Sequence, residues 1–379
     1  MMNSGSGEQP TISHSMSSDA RTRRYSIAVI PGDGIGKEVV PEALRILEVA
    51  AARFGFQLNF EHFDWSCETY HATGKMMPDD GLSQLAVHDS ILLGAVGFPG
   101  VPDHISLWGL LIPIRRAFDQ YVNLRPVRLL PGIQSPLRGR ETGDIDFWVV
   151  RENSEGEYSQ QGGRFNVGTP DEYVIQEARF TRKGTDRILR YAFDLARRLG
   201  RAHVTSATKS NGIYHSMPFW DERFGAVRAD YPDIVADQYH IDILAARFVM
   251  SPDRFDVVVG SNLFGDILSD LGPGITGTIA VAPSANINPE RIHPSMFEPV
   301  HGSAPDIAGR GIANPIGQIW SAVMMLEHLG EAAAAAAIMR AIEEVLAADD
   351  APLTPDLGGG ARTCDLGAAI AAAVAAGGE

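Results

Sequence analysis

The stretch "YSIAVIPGDGIGKEVVPEAL" (residues 25–44) decides how the chain begins to fold. Ile27, Ala28, Val29 and Ile30 form a short apolar run closed by Pro31 and Gly32, the pattern of a buried strand. A glycine-rich turn, Gly32-Asp33-Gly34-Ile35-Gly36, follows and enters a helical pattern over residues 38–54. Strand, glycine turn and helix in this order are how a dinucleotide-binding unit opens. The match is only partial. G-x-G-x-x-G needs a third glycine where Lys37 stands, and no acidic residue closes a second strand about 20 residues on. The turn is therefore expected to start a cofactor domain near the cleft, its glycines permitting a sharp backbone path, with the nucleotide held elsewhere.

The alternation continues downstream. An apolar segment covers residues 56–63, and "HDSILLGAVGFPG" (88–100) and "IDFWVVREN" (145–153) read as further strands. "DVVVGSNLFGDILSDLG" (256–272) reads as a strand running into a helix, and helical patterns fill 182–199, 217–228 and 240–250. Strands alternating with helices indicate an α/β protein. "EYSQQGGRFNVGTPDEYVIQEARFTRKG" (157–184) breaks the alternation with strand, polar turn and strand. It fits either a protruding arm or a local surface hairpin.

A chain of 379 residues suits two domains. Hydrophobic residues at 45% and charged residues at 21% are those of a soluble globular enzyme. No apolar run reaches the roughly 18–20 residues of a membrane span. The net charge of −15 argues against a nucleic-acid surface, which needs clustered Lys and Arg. Cys67 and Cys364 offer neither a disulfide framework nor zinc spacing, which points to a reducing cytoplasm. Residues 1–24 are polar and Ser-rich without an apolar h-region, and are expected to be a disordered tail.

Several charged groups carry chemical spacing. Asp266 and Asp270 lie four apart at the start of a predicted helix, hence on one face. They fit either a solvated face with favourable N-terminal charge or a hard-oxygen site for Mg²⁺ or Mn²⁺. Asp242, among apolar neighbours, fits a cap or a core hydrogen-bonder. Trp108, Leu111, Ile112 and Arg115 fall on one helical stripe, interrupted by Pro113. With Arg125 and Arg151 near strand ends, Arg115 would suit a small polycarboxylate, because a guanidinium fork binds carboxylate bidentately. Tyr158 and Lys209 are candidate proton-transfer groups, although half-buried packing and a surface charge are the commoner fates of such residues. "FEPVHGSAPDIAGRGIANP" (297–315) is a long small-residue loop whose backbone could approach phosphates.

Six of these segments, in the same order, resemble the β-decarboxylating dehydrogenases, the family of isopropylmalate and isocitrate dehydrogenases. They are "PGDGIGKEV", "IRRAFDQYVNLRPVR", "VVRENSEGEY", "SATKSN", "SNLFGDILSDL" and "FEPVHGSAPDIAGRGIANP". "DWSCETYHATGKMMPDDGL" and "VPDHISLWG" are similar to the tartrate dehydrogenase/decarboxylase and D-malate dehydrogenase branch. The resemblance implies an isopropylmalate dehydrogenase-like α/β fold: two domains on a shared twisted sheet, distinct from the Rossmann fold, with a dimerisation arm at about 157–184. Residues 25–120 and 277–379 would form the cofactor domain and 121–276 the substrate and dimerisation domain.

The resemblance also implies roles. Asp266 and Asp270, with Asp242 from a second subunit, would hold Mn²⁺ or Mg²⁺. Arg115, Arg125 and Arg151 would grip the substrate, with Trp108 and Leu111 reading its C3 substituent. Lys209, also from the second subunit, and Tyr158 would move protons. Glu298, His301, Gly302, Ser303, Ala304, Asp306, Ile307 and Asn314, with Asn211, would bind NAD. Asp306 disfavours NADP, since a carboxylate accepts bonds from ribose hydroxyls and repels a 2′-phosphate. The implied activity is oxidation with decarboxylation of a small (2R)-hydroxy diacid, D-malate or tartrate, by a cytoplasmic homodimer, with a tetramer as the alternative assembly and K⁺ as a candidate monovalent ion. Two other readings are 3-isopropylmalate dehydrogenase and a non-catalytic regulatory subunit. The latter fits poorly, because the catalytic groups are present.

Overall fold

The computed structural model describes residues 23–377. The expected tail lies outside these residues except for Arg23 and Arg24, which already belong to the first strand. Twelve strands occur among the described residues: β1 (Arg23–Gly32), β2 (Phe56–His62), β3 (Ser90–Ala95), β4 (Val122–Arg128), β5 (Asp146–Glu152), β6 (Gly162–Phe165), β7 (Tyr173–Gln176), β8 (His203–Thr208), β9 (Val235–His240), β10 (Val257–Gly260), β11 (Pro283–Ile287) and β12 (Ser295–Pro299). Ten form one sheet in the order β2-β1-β3-β12-β11-β4-β5-β10-β8-β9, while β6 and β7 pair apart as a hairpin.

The large sheet is parallel in both wings and antiparallel in the middle. β2, β1, β3 and β12 run parallel, as do β5, β10, β8 and β9. β12–β11, β11–β4 and β4–β5 are antiparallel. Inner parallel strands such as β3 and β10 are continuous buried runs because helices cover both faces, whereas β2 and β9 at the edges are polar and partly exposed. In β3 every residue is buried. The antiparallel centre alternates instead. Val122, Leu124 and Val150 point into the main core, whereas Asn123, Arg125 and Arg151 point to the other face. That other face is the floor of the cleft.

The opening glycine turn has a structural task. The Asp33 carboxylate, 2% exposed, accepts the Cys67 N–H at 2.8 Å and the Gly97 N–H at 2.9 Å. Ile35 N–H donates to the Ser303 carbonyl at 2.9 Å. Gly34, at φ +53°, packs so closely on this carbonyl that a Cβ would lie 2.0 Å from it. Glu38, in the Gly36–Phe54 helix, accepts the Gly309 N–H at 2.6 Å. The turn thus buttresses the 301–309 loop, some 270 residues later in the chain.

Two sequence expectations change. The 108–115 stripe is not one regular helix. Leu107–Leu111 forms a π-helical turn, Ile112 N–H closing on the Leu107 carbonyl, before the Ile112–Ala117 helix. Pro113 has no N–H to continue a ladder, which accounts for the irregularity here. The second concerns the carboxylate helix, Asn262–Thr276, capped by the Ser261 hydroxyl. It begins early enough that Asp270 lies two turns inside, beyond the reach of the N-terminal partial charge.

Candidate active site

A cavity of about 510 Å³ opens above the antiparallel centre of the sheet. Trp108, Leu111 and Arg115 come from the irregular helix, Arg125 from β4, Arg151 from β5, and Asp266 from the Asn262–Thr276 helix. Tyr158, Glu298, His301 and Gly302 complete the parts of the wall that bear on chemistry.

Charges converge from several elements. Arg151 forms an ion pair with Asp266 and donates to the Asn262 side chain, from Nη2 at 2.7 Å and from Nε at 3.2 Å. Arg125 reaches Asp270 at 3.0 Å, Asp266 at 3.7 Å and the Ser269 hydroxyl at 2.7 Å. Arg115 pairs with Glu298 at 2.7 Å. The three arginines are each at most 9% exposed. Burial and the neighbouring Arg125 and Arg115 push the Arg151 guanidinium down to about 10, against the opposing pull of Asp266, yet it stays charged at neutral pH. Burial would push the Asp266 carboxyl up, but Arg151 and Arg125 outweigh it and hold the group below its ordinary value. Asp270 moves the other way, raised by burial and by Asp266 in spite of Arg125. The opposite shifts reflect different surroundings, Asp266 lying between two guanidiniums and Asp270 beside one.

The Tyr158 hydroxyl donates to Asp266 at 2.6 Å, and burial with this bond pushes its pKa up to about 12. It is a protonated donor at neutral pH. Arg151 lies 5.2 Å from its ring centroid and would favour a phenolate once the proton leaves. Arg116 clamps the opposite wall, lying 4.8 Å from the Trp108 ring centroid and donating to the Tyr158 carbonyl at 3.1 Å.

His301 Nδ1 lies 2.9 Å from the Gly302 carbonyl, so it carries the proton. Burial keeps the imidazole below its ordinary pKa and hence neutral. Its Nε2, buried and without a partner, is left as an acceptor at the cavity wall. That orphan fits an N–H of a bound base or carboxamide. Ser303 and Ala304 carry the loop round a turn, with Ala304 at φ +40°, and Asp306 and Gly302 are exposed. Ile307 and Ala304 pack on the small apolar cluster of Ile35, Val39 and Ala313. Asn314 is buried, bonded to Asp356 at 3.1 Å, and lies away from the cavity wall.

Lys209, Asn211 and Asp242 do not reach this cavity. Lys209 follows β8 and Asp242 follows β9, and the two pair with each other at 3.0 Å. Asn211 is exposed in the same turn. Among the described residues no three His, Cys, Asp or Glu side chains gather to hold a metal ion. Of the three expected ligands, Asp266 and Asp270 lie on one helix and Asp242 stands elsewhere.

Sequence reasoning overlooked Asn262, Ser269 and Glu157. Glu157 accepts the Ser261 hydroxyl at 2.7 Å and the Leu263 N–H at 3.1 Å, tying the Tyr158 segment to the start of the carboxylate helix. An acid one residue from Tyr158 and an Asn four residues before Asp266 were the available signals.

Comparison with known proteins supplies the family. The model of the isocitrate/isopropylmalate dehydrogenase family matches residues 26–370. D-malate dehydrogenase [decarboxylating] of Escherichia coli K12 is 63% identical over 351 residues, covering 91% of this chain and 97% of that protein. Tartrate dehydrogenase/decarboxylase of Pseudomonas putida is 60% identical over 354 residues, covering 91% and 96%. The crystal structure of isocitrate dehydrogenase from Methylococcus capsulatus superposes with a TM-score of 0.84 at 36% identity, covering 93% of this chain and 99% of that one. With this coverage, and with the mixed sheet and arginine-lined cleft, the chain belongs to the isocitrate/isopropylmalate dehydrogenase family.

Proposed function

We propose that this enzyme carries out NAD-dependent oxidation, with decarboxylation, of a small (2R)-hydroxy dicarboxylic acid, D-malate or tartrate. The observation that carries the reading is the set of three buried arginines, Arg115, Arg125 and Arg151, lining one cavity. Each guanidinium has five N–H donors, and Arg115 Nε is buried without a partner, so the wall keeps donors for the carboxylates of a diacid beyond its own ion pairs. Charge-assisted hydrogen bonds are worth about 1.5–3 kcal/mol each, so three forks position such a substrate firmly. The names of the similar D-malate and tartrate enzymes support the same substrate class.

Membership of the family implies a divalent metal and a nicotinamide dinucleotide. Asp266 and Asp270 offer hard-oxygen ligands that fit Mn²⁺ or Mg²⁺. When bound, the cation acts as a Lewis acid on the substrate's oxygens and the dinucleotide takes up the hydride. Arg115, Arg125 and Arg151 hold the carboxylates. Lys209 accepts the hydroxyl proton, for which it must be neutral. Tyr158 returns a proton to carbon after CO₂ leaves. Trp108 and Leu111 restrict the space at C3. His301 with the 302–307 loop and Asn314 bind NAD, and Asp306 faces the ribose hydroxyls. K⁺ is a candidate activator.

The assembly is an oligomer, and we propose a homodimer that shares its sites. Lys209, Asn211 and Asp242 would then enter the partner's cavity. Large apolar side chains support such an interface. Ile243, Val249, Met250, Leu263 and Ile267 are exposed on the Ile241–Met250 and Asn262–Thr276 helices, and Phe165, Tyr173, Val174 and Ile175 on the β6–β7 hairpin. We also propose two domains, 25–120 with 277–379 and 121–276, a division supported by the sheet order, since β4, β5, β10, β8 and β9 all fall in the middle segment. Among the described residues no helix is long and apolar enough to cross a membrane. The proposed compartment is the cytoplasm.

The test is NADH formation by purified protein with Mn²⁺, with and without K⁺, on D-malate, L-tartrate, meso-tartrate, 3-isopropylmalate and isocitrate. D-malate or a tartrate is expected to be turned over best. Preference for 3-isopropylmalate or isocitrate overturns the substrate, and NAD binding without turnover of any acid points to a regulatory subunit.

A further inference from the structure

Joined to the cavity wall at Arg115, Glu298 and Arg125, a continuous buried polar relay crosses the antiparallel seam between β11 and β4. Asn286, on β11 and 0% exposed, is its keystone. Its Oδ1 accepts from Asn123 Nδ2 and from Asn153 Nδ2, both at 2.9 Å. Its Nδ2 donates to Glu298 Oε1 at 2.7 Å. The orientation of this amide is settled by its partners, because two amide N–H groups face one end and a carboxylate faces the other. On one side Glu298 Oε1 also accepts from Arg115 Nη2 at 2.7 Å. On the other, Asn123 Oδ1 accepts from Arg125 Nε at 2.9 Å. The chain Arg115–Glu298–Asn286–Asn123–Arg125 therefore links a guanidinium of the Ile112–Ala117 helix to a guanidinium of β4 without a gap.

The strand register makes this possible. Asn123 stands opposite both Asn286 and Arg151, and Ser284 stands opposite Glu298. With side chains alternating by two, Ser284, Asn286, Asn123, Arg125 and Arg151 fall on the same face. Simple satisfaction of buried polar groups would need only pairs. Here one amide uses both of its ends on groups that hold different arginines.

We propose that Asn286 is a positioning residue for the diacid: it sets the separation of the Arg115 and Arg125 guanidiniums across the seam, so that substrate affinity depends on this amide while dinucleotide affinity does not. This rests on the proposed role of the arginines as substrate ligands, and on Glu298, expected from the resemblance to bind NAD, being engaged instead by Arg115 and Asn286.

The test uses the full-length enzyme and whichever diacid the wild type oxidises. Asn286→Asp keeps the shape and the acceptor but turns an oxygen against Glu298 where an N–H was. KM for the diacid should rise about tenfold or more, with KM for NAD within about twofold of wild type. If Asn286→Asp does not fold, Asn123→Ser, which cuts the relay at its next link, should raise the diacid KM several-fold with the same indifference of NAD. Equal changes in both KM values, or a fall in kcat alone, overturns the relay. A wild type that oxidises no diacid overturns the proposed function itself, and the relay with it.

Discussion

The Asp266–Asp270 face and the Lys209–Asp242 pair are made of the same kinds of charge, yet they end in opposite states. In the first, Asp266 lines the cavity between Arg151 and Arg125, Asp270 beside it is 58% exposed and pairs with Arg125, and the two carboxyls are shifted in opposite directions. The second is a simple ion pair at the ends of the adjacent parallel strands β8 and β9, with side chains 29% and 67% exposed. Water screens an exposed pair of this kind, so little holds Lys209 and Asp242 to each other. The contrast teaches that one region gathers guanidiniums and a carboxylate at a cavity, and that the other is an exposed pair that does not reach that cavity in its own chain. Under the proposed homodimer each is completed by the other region of a second copy.

The largest expected effect breaks or upholds this contrast directly. Tyr158→Phe and Lys209→Met should each lower kcat by about two to four powers of ten. Mixed after reversible dissociation, the two inactive proteins should recover roughly a quarter of wild-type activity, because half of the dimers are mixed and each mixed dimer keeps one intact site. No recovery despite proven subunit exchange would place Lys209 outside the partner's site.

A smaller effect sharpens the account of the organised region. Trp108→Ala enlarges the wall that Arg116 clamps. The ratio of kcat/KM for 3-isopropylmalate to that for D-malate should rise about tenfold, in line with the roughly 1–3 kcal/mol that a pocket of this kind discriminates. An unchanged ratio removes Trp108 from substrate selection.

The smallest effect concerns the platform of the other region. His203 and Asp237 pair at 3.1 Å across β8 and β9, whose ends carry Lys209 and Asp242. The bond to Asp237 raises the His203 pKa above its ordinary value, and Asp237, despite burial that works the other way, is held low by His203. A raised histidine contributes its stability in full below its unfolded pKa of about 6.5 and loses it as pH rises through the folded value. His203→Gln should therefore lower the stability by no more than about 1 kcal/mol near pH 6, and the difference in Tm should shrink by about pH 9. A difference that grows with pH would show the pair contributes through packing instead.

Much of this molecule is legible in single stretches of sequence. Apolar runs located β3 and β5, and the 256–272 pattern located a strand entering the carboxylate helix, because alternation and helical period are local properties. The motif order identified the family and, with it, candidate residues for its chemistry. Other features are not local. Lys37 excluded a full dinucleotide fingerprint, but only the packing of Gly34 on the Ser303 carbonyl reveals that "PGDGIG" supports a loop far along the chain. The strand "VNLR" shows its alternating face, yet nothing in it announces that Asn123 meets Asn286, 163 residues away, since register across an antiparallel seam depends on a pairing no local pattern encodes. The sequence by itself determined which groups are present and what each can do. Tertiary structure decided which of them share one buried, low-dielectric space, where charges shift one another, and which remain in water, where they do not.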